Sequence, residues 1–184
     1  MMLTATPAQT VGPFFGYALP FASCDELVAP GSPGAITLHG NVFDGAGAPV
    51  PDALIEIWQA DAHGVVPTAT GTLHRDGEFT GFGRAETDPH GHYALTTIVP
   101  GGTSAPFFAV TVLARGLLNR LFTRAYVPSD DLVSDRFLAG LPAERRRTLI
   151  AECDDAGLRF DIRLQAGPDG AEETVFLAYP GHRQ

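Results

Sequence analysis

His90 and His92 stand in the His-x-His spacing that two imidazoles sharing one metal ion would use. A period of two puts both rings on one face only if the backbone there is a strand. Here the pair falls in Thr87-Asp88-Pro89-His90-Gly91, a turn sequence, and nothing nearby supplies further ligands. His63 and His74 fall in loop sequence, His39 alternates onto the polar side of a strand pattern, and His182 lies near the C-terminus. Glu56 and Asp61 could form a carboxylate pair, but a strand charge and a turn-forming aspartate explain them. No Gly-x-Ser-x-Gly elbow or phosphate-binding Gly-rich loop is present, and neither cysteine stands in a catalytic context. Gly45-x-Gly47 and Gly81-x-Gly83 read as turn glycines. Cys24 and Cys153 lack Cys-x-x-Cys spacing, which argues against a zinc knuckle or a disulfide framework.

Composition narrows the classes. The 184 residues suit one domain, large enough to bury roughly 70% of its unfolded surface. With 45% hydrophobic residues, 21 Gly and 15 Pro, many short strands joined by turns are expected rather than long helices. The net charge is −9 and all 12 basic residues are arginine, which disfavours a nucleic-acid partner. Arg145-Arg146-Arg147 reads as a solvated helical face or an interface contact. No stretch approaches the ~20 apolar residues of a membrane span. Met1-Met2-Leu3-Thr4 has neither the charge nor the apolar run of a leader, so a cytoplasmic protein is expected.

The elements follow from period and punctuation. Ile36, Leu38 and Val42 alternate with Thr37, His39 and Asn41; Ala53, Ile55 and Ile57 alternate with Leu54, Glu56 and Trp58. With the Gly/Pro turn Asp44–Asp52 between them, the two runs read as a hairpin. Further turns are expected at Asp61–Gly64, Asp88–Gly91 and Pro100–Ala105, with residues 64–83 an excursion. Pro142–Cys153 predicts a helix that starts on its proline. Phe160, Ile162 and Leu164, then Thr174–Tyr179, predict two late strands. Residues 1–35 form an irregular arm whose Phe14, Phe15, Tyr17, Leu19 and Phe21 are too apolar for a solvated tail. The expected fold is an all-β, antiparallel sandwich (36–184) with one or two short helices and an arm (1–35) packed on another subunit.

The run Gly40–Gly64, with its Val50-Pro51 and Glu56-Ile57-Trp58-Gln59-Ala60-Asp61, resembles the sandwich core of the intradiol ring-cleavage dioxygenases. Thr6–Phe14, Phe82-Gly83-Arg84, Thr87-Asp88, Ala114-Arg115-Gly116, Phe122-Thr123-Arg124 and Phe160–Arg163 extend the likeness in order along nearly the whole chain. Within the family it is similar to the α-type subunits of the protocatechuate 3,4-cleaving enzymes. The resemblance implies a ferric site of two His and two Tyr, with the His pair on one strand. In this chain Phe107 and Ala109 stand at the His positions, and Pro100–Ser104 lacks the expected tyrosine. It therefore implies an iron-free subunit and no catalytic residue here. Fe(III) would be held by a β-type partner subunit that cleaves a small aromatic substrate, protocatechuate, with O2 in aromatic catabolism. It further implies that Gly12, Pro13 and Arg115 wall that partner's cleft, in a higher-order α–β assembly. By residue type alone, Gly12-Pro13 is an ordinary turn and Arg115 a surface ion-pair residue. The alternative is a stand-alone binding module that kept the scaffold and lost the reaction. A self-sufficient enzyme is disfavoured by the four Tyr and the lack of a strand-borne His-x-His.

Overall fold

A computed structural model of the chain describes residues 12, 15–68, 79–102, 105–168 and 170–178. Among the described residues nine strands form two stacked layers: β1 (Ala35–Phe43), β2 (Leu54–Trp58), β3 (Phe82–Glu86), β4 (His92–Ile98), β5 (Phe107–Leu113), β6 (Leu121–Tyr126), β7 (Glu152–Asp154), β8 (Gly157–Arg159) and β9 (Ile162–Arg163). One sheet runs β4-β1-β8-β7 with β9 also on β1; the other runs β3-β2-β5-β6. Pairing is antiparallel except that β8 and β9 lie parallel to β1. Alternation does the sorting: Leu38, Val42, Ile55, Ile57, Phe108, Val110 and Val112 point inward and are buried.

β1 and β2 do not form the expected hairpin; they belong to different sheets. The Gly/Pro segment reverses the chain, with Val50 N–H donating to Val42 O at 2.9 Å. Pro51 has no N–H to extend that ladder, and Asp52, at φ 67°, turns the chain into the other layer. There the Ala53 N–H donates to Thr87 Oγ1 at 2.8 Å.

Four turns share one device. Asp44, Asp61, Asp88 and Asp154 each use Oδ1 to accept two backbone N–H groups just downstream. Each is followed three residues later by a glycine at positive φ: Gly47, Gly64, Gly91 and Gly157. These bonds hold three carboxyls below the usual 3.8: Asp61 chiefly through the Val65 N–H, Asp88 through the His92 N–H, and Asp154 first through His39. A depressed carboxyl stabilises the fold fully above its unfolded value and loses that contribution as pH falls through its native value. Melting temperature should therefore drop as pH falls below about 4. Asp88→Asn should be less stable than the parent at neutral pH and converge with it near pH 2, as followed by circular dichroism; parallel curves would show that the turn charges are irrelevant.

The described residues of the arm make contacts within this chain. Phe15, in the four-residue helix α1 (Phe15–Ala18), is buried, and Gly16 sits against Glu86, the register partner of Leu54. Leu54 is on the outer face by alternation yet has no exposed surface. Cys24 O accepts from Arg84 N–H on β3, while Thr96 of β4 exchanges bonds with Asp25 and Leu27, so residues 24–27 seal the neighbouring edges of both sheets. Phe15 is thus taken up internally; Tyr17 remains 87% exposed, and Phe14 lies outside the described residues.

The helix expected over Pro142–Cys153 is shorter. α2 (Arg136–Ala139) is capped by Asp135, and α3 (Ala143–Arg147) ends where Thr148 Oγ1 donates to Arg145 O. Leu149 and Ala151 then exchange backbone bonds with Tyr126, and Cys153 lies in β7. Burial of Leu149 and Ala151 against the sheet outweighs the helical preference of a short segment. Arg145 and Arg146 bond Glu173 O, Leu138 O and Leu141 O, tying local chain together, while Arg147 is exposed. Residues 171–178 form no regular strand, although Leu177 N–H still donates to Phe122 O and Thr123 Oγ1 to Val175 O. Tyr179 lies outside the described residues.

Candidate functional site

The outer face of the β3-β2-β5-β6 sheet carries the candidate site. Outward positions alternate, so Trp58 lies directly across from Ala109, and Ala109 across from Arg124, with Phe107 two residues along β5. Ala109 is small, and this leaves a cleft of about 400 Å³ between the Trp58 and Phe107 side chains. Its rim is formed by two loops packed glycine to glycine: a Cβ on Gly64 would fall 2.6 Å from Gly102 Cα, and one on Gly101 1.9 Å from Ala62 O. Gly101 N–H donates to Asp61 O at 2.8 Å, joining the loops.

Both aromatic walls are braced. Trp58 packs on Phe82 at 4.8 Å between ring centroids and is 42% exposed. Phe107 packs on Tyr126 at 5.4 Å, and the Arg124 guanidinium lies 4.3 Å above its ring and 5.5 Å from Phe137. Arg124 also donates to the Tyr126 hydroxyl at 3.0 Å. Burial pushes the Tyr126 phenol up, opposed by Arg124. The Tyr93 phenol, pushed up by burial, donates to Phe160 O at 2.6 Å.

A ferric ion of the intradiol kind finds no fit here. Phe107 and Ala109 offer only carbon, and the hydroxyls of Tyr93 and Tyr126 are engaged away from the cleft. Among the described residues no group of three or more His, Cys, Asp and Glu is placed to hold a metal ion. His90 is in an exposed turn and His92 opens β4; their backbone N–H groups converge on Asp88, but their side chains do not form a site together. His92 instead lies beside His39, whose Nε2 is 3.1 Å from Asp154. Glu56 is ion-paired with Arg84 at 2.5 Å and does not meet Asp61. Cys24 is buried and Cys153 exposed, both as free thiols.

The residues singled out in the sequence separate into two places. Arg115 lies in the turn after β5, 64% exposed by side chain and ion-paired with Asp52. The four residues from Ala109 to Leu113, at about 3.3 Å each, put the end of β5 roughly 13 Å from Ala109, and Arg115 follows in the turn beyond it. Gly12, at φ 77° and half-buried, precedes α1, which lies at the Leu54–Glu86 end of the sheet, the same end as Arg115. Pro13, like His74, His182, Thr103 and Ser104, lies outside the described residues. The sequence shows Trp58 on the face opposite Ile55 and Ile57 but not the cleft wall it makes, because its neighbours there come from β5 and from loop 100–102.

Comparison with known proteins agrees with the two-layer fold. A family model described as "Dioxygenase" matches residues 12–107, more than half of the chain. The protocatechuate 3,4-dioxygenase alpha chain of Burkholderia cepacia is 39% identical, over 95% of this chain and 98% of its own length. The beta chain from the same organism is 33% identical over 71% of this chain and 64% of its own. Among solved structures, the dioxygenase domain of a carbohydrate-binding fusion from Streptomyces sp. SirexAA-E superposes with a TM-score of 0.59 at 29% identity, covering 88% of this chain and 98% of that one. Among the described residues no helix is long and apolar enough to cross a membrane. With its two-layer β-sandwich, its Gly40–Gly64 core and relatives matching almost end to end, the chain belongs to the intradiol ring-cleavage dioxygenases.

Proposed function

We propose that this chain is the iron-free α subunit of a cytoplasmic bacterial protocatechuate 3,4-dioxygenase, a single domain completing the substrate cleft of an iron-bearing β subunit. The observation that carries this reading is the replacement of donor atoms by Phe107 and Ala109 on an otherwise intact family scaffold. When bound in the partner, ferric iron supplies the activation of the catecholate for ring opening by O2, giving 3-carboxy-cis,cis-muconate. This chain holds Gly12, Pro13 and Arg115 toward that cleft. Gly12 lets the backbone come close to a ring, Pro13 fixes the approach, and Arg115 supplies a cation that does not titrate away opposite the substrate carboxylate. The location of Arg115 and the arm at the sheet end remote from Phe107 supports a role toward a neighbour rather than toward the chain's own cleft.

The test is to express the chain alone and together with a related sandwich chain that keeps a strand-borne His-x-His, then measure bound iron and protocatechuate-dependent oxygen uptake. Iron and uptake only in the co-complex are expected. Iron and turnover in the chain alone would overturn the assignment, and failure of the chains to associate would favour a stand-alone binding module.

A further inference from the structure

The cleft between Trp58 and Phe107 has no part in the function proposed above, yet it has the character of a small-molecule site. We propose that it binds a single uncharged aromatic ring, of the phenol class, independently of any metal. Three observations carry this. First, at about 400 Å³ the cleft is within the range of small-ligand pockets, and its two facing side chains are aromatic. Second, those rings are braced from behind, by Phe82 on one side and by Arg124 and Tyr126 on the other, so the slot is held open over Ala109 before a ligand arrives. Third, the Gln59 side chain and the Gly101 N–H at its edge are already bonded. The Gln59 carboxamide donates to Ala60 O and Ile98 O and accepts from Thr97 Oγ1, and Gly101 N–H is bonded to Asp61 O. No charged side chain lines the cleft among the described residues; Arg124 is turned to Phe107, Phe137 and the Tyr126 hydroxyl.

Selectivity follows from the same features. A neutral ring exchanges water for two aromatic faces and strands no buried donor or acceptor. A carboxylate on the ring would meet no cation among the described lining residues and would lose its hydration. The site should thus prefer phenol over benzoate, whereas the cleft proposed for the partner subunit handles a charged ring.

Trp58 is the chain's one tryptophan, so its indole resonance and emission report this site without labelling. Titrating the full-length chain with phenol should shift the Trp58 signal saturably, with a Kd on the order of millimolar for so small a ligand. Benzoate should bind at least about tenfold more weakly, the expected cost of an unpaired charge. Ala109→Leu should abolish the phenol response by filling the slot; Ala109→Val serves if the leucine variant does not fold. Absence of a saturable shift, an unchanged response in a folded Ala109 variant, or equal binding of benzoate would each overturn the proposal. Equilibrium dialysis of labelled phenol against the co-expressed complex, with and without the Ala109 change, tests the assembled state. Loss of one phenol per variant chain supports the site; no difference there, despite a response in the free chain, would overturn it by showing that a partner segment occupies the cleft. Oxygen uptake by the complex is measured separately, so failure of phenol binding is distinguishable from failure of the subunit assignment.

Discussion

Alanine at Arg115 is expected to lower protocatechuate turnover by the assembled enzyme roughly ten- to a hundredfold, while assembly, iron content and thermal stability stay at parental levels. The kinetic loss follows from removing one charge-assisted contact to a carboxylate, worth about 1.5–3 kcal/mol. The unchanged stability follows from the setting. Arg115 and Asp52 are more than half exposed, and exposed pairs contribute little to folding. Steady-state kinetics on the complex, with iron and subunit ratios measured in parallel, tests both halves. A lysine at the same position should recover part of KM, because the charge returns without the planar fork. A fully assembled Arg115→Ala enzyme with parental kinetics would remove Arg115 from the cleft wall. A variant that fails to assemble would show that the residue holds the interface instead.

Alanine at Gly40 should destabilise the chain by about 3 kcal/mol, as overpacking of a tight site and disturbance of a buried hydrogen bond together suggest. For a chain of this size that lowers the melting temperature by roughly 6–12 °C. β8 and β9 both run parallel to β1, and the chain between them presents the Phe160 carbonyl to Gly40: a Cβ there would stand 2.0 Å from Phe160 O. Tyr93, directly opposite Gly40 on β4, reaches the same carbonyl with its hydroxyl. Displacing Phe160 therefore loosens two neighbours of β1 at once. Gly47→Ala is the contrasting control: it is strained by its φ of 77° but meets nothing within 4 Å, so its cost should be about 1 kcal/mol. Equal losses at the two positions would mean that the Phe160 carbonyl yields easily, and the proposed tie between β1, β4 and β8 would fall.

Much of the candidate site was legible because its chemistry is local. That Phe107 and Ala109 carry no donor atom is a property of two side chains and needs no structure to establish. Their shared face follows from the period of a strand, which β5 obeys along all seven residues. The turns at Asp44, Asp61 and Asp88 were legible for the same reason, since a short carboxylate and a glycine fix the backbone within four residues. The cleft was not legible, because its walls come from β2, β5 and two loops far apart in sequence.

The sequence by itself determined the faces of the core strands, the turn chemistry at Asp44, Asp61 and Asp88, and the side-chain chemistry of positions 107 and 109, all consequences of residue type and short-range period. Tertiary structure decided which strands pair. β1 and β2 look like a hairpin locally, yet each gains more burial by joining a different layer, and Pro51 and Asp52 make the crossing possible. It also decided that Phe15 and Leu54 are buried, that α3 stops at Thr148, and that Arg115 and the cleft lie at opposite ends of one sheet. Those outcomes depend on burial summed over contacts distant in sequence, a quantity that no local window contains.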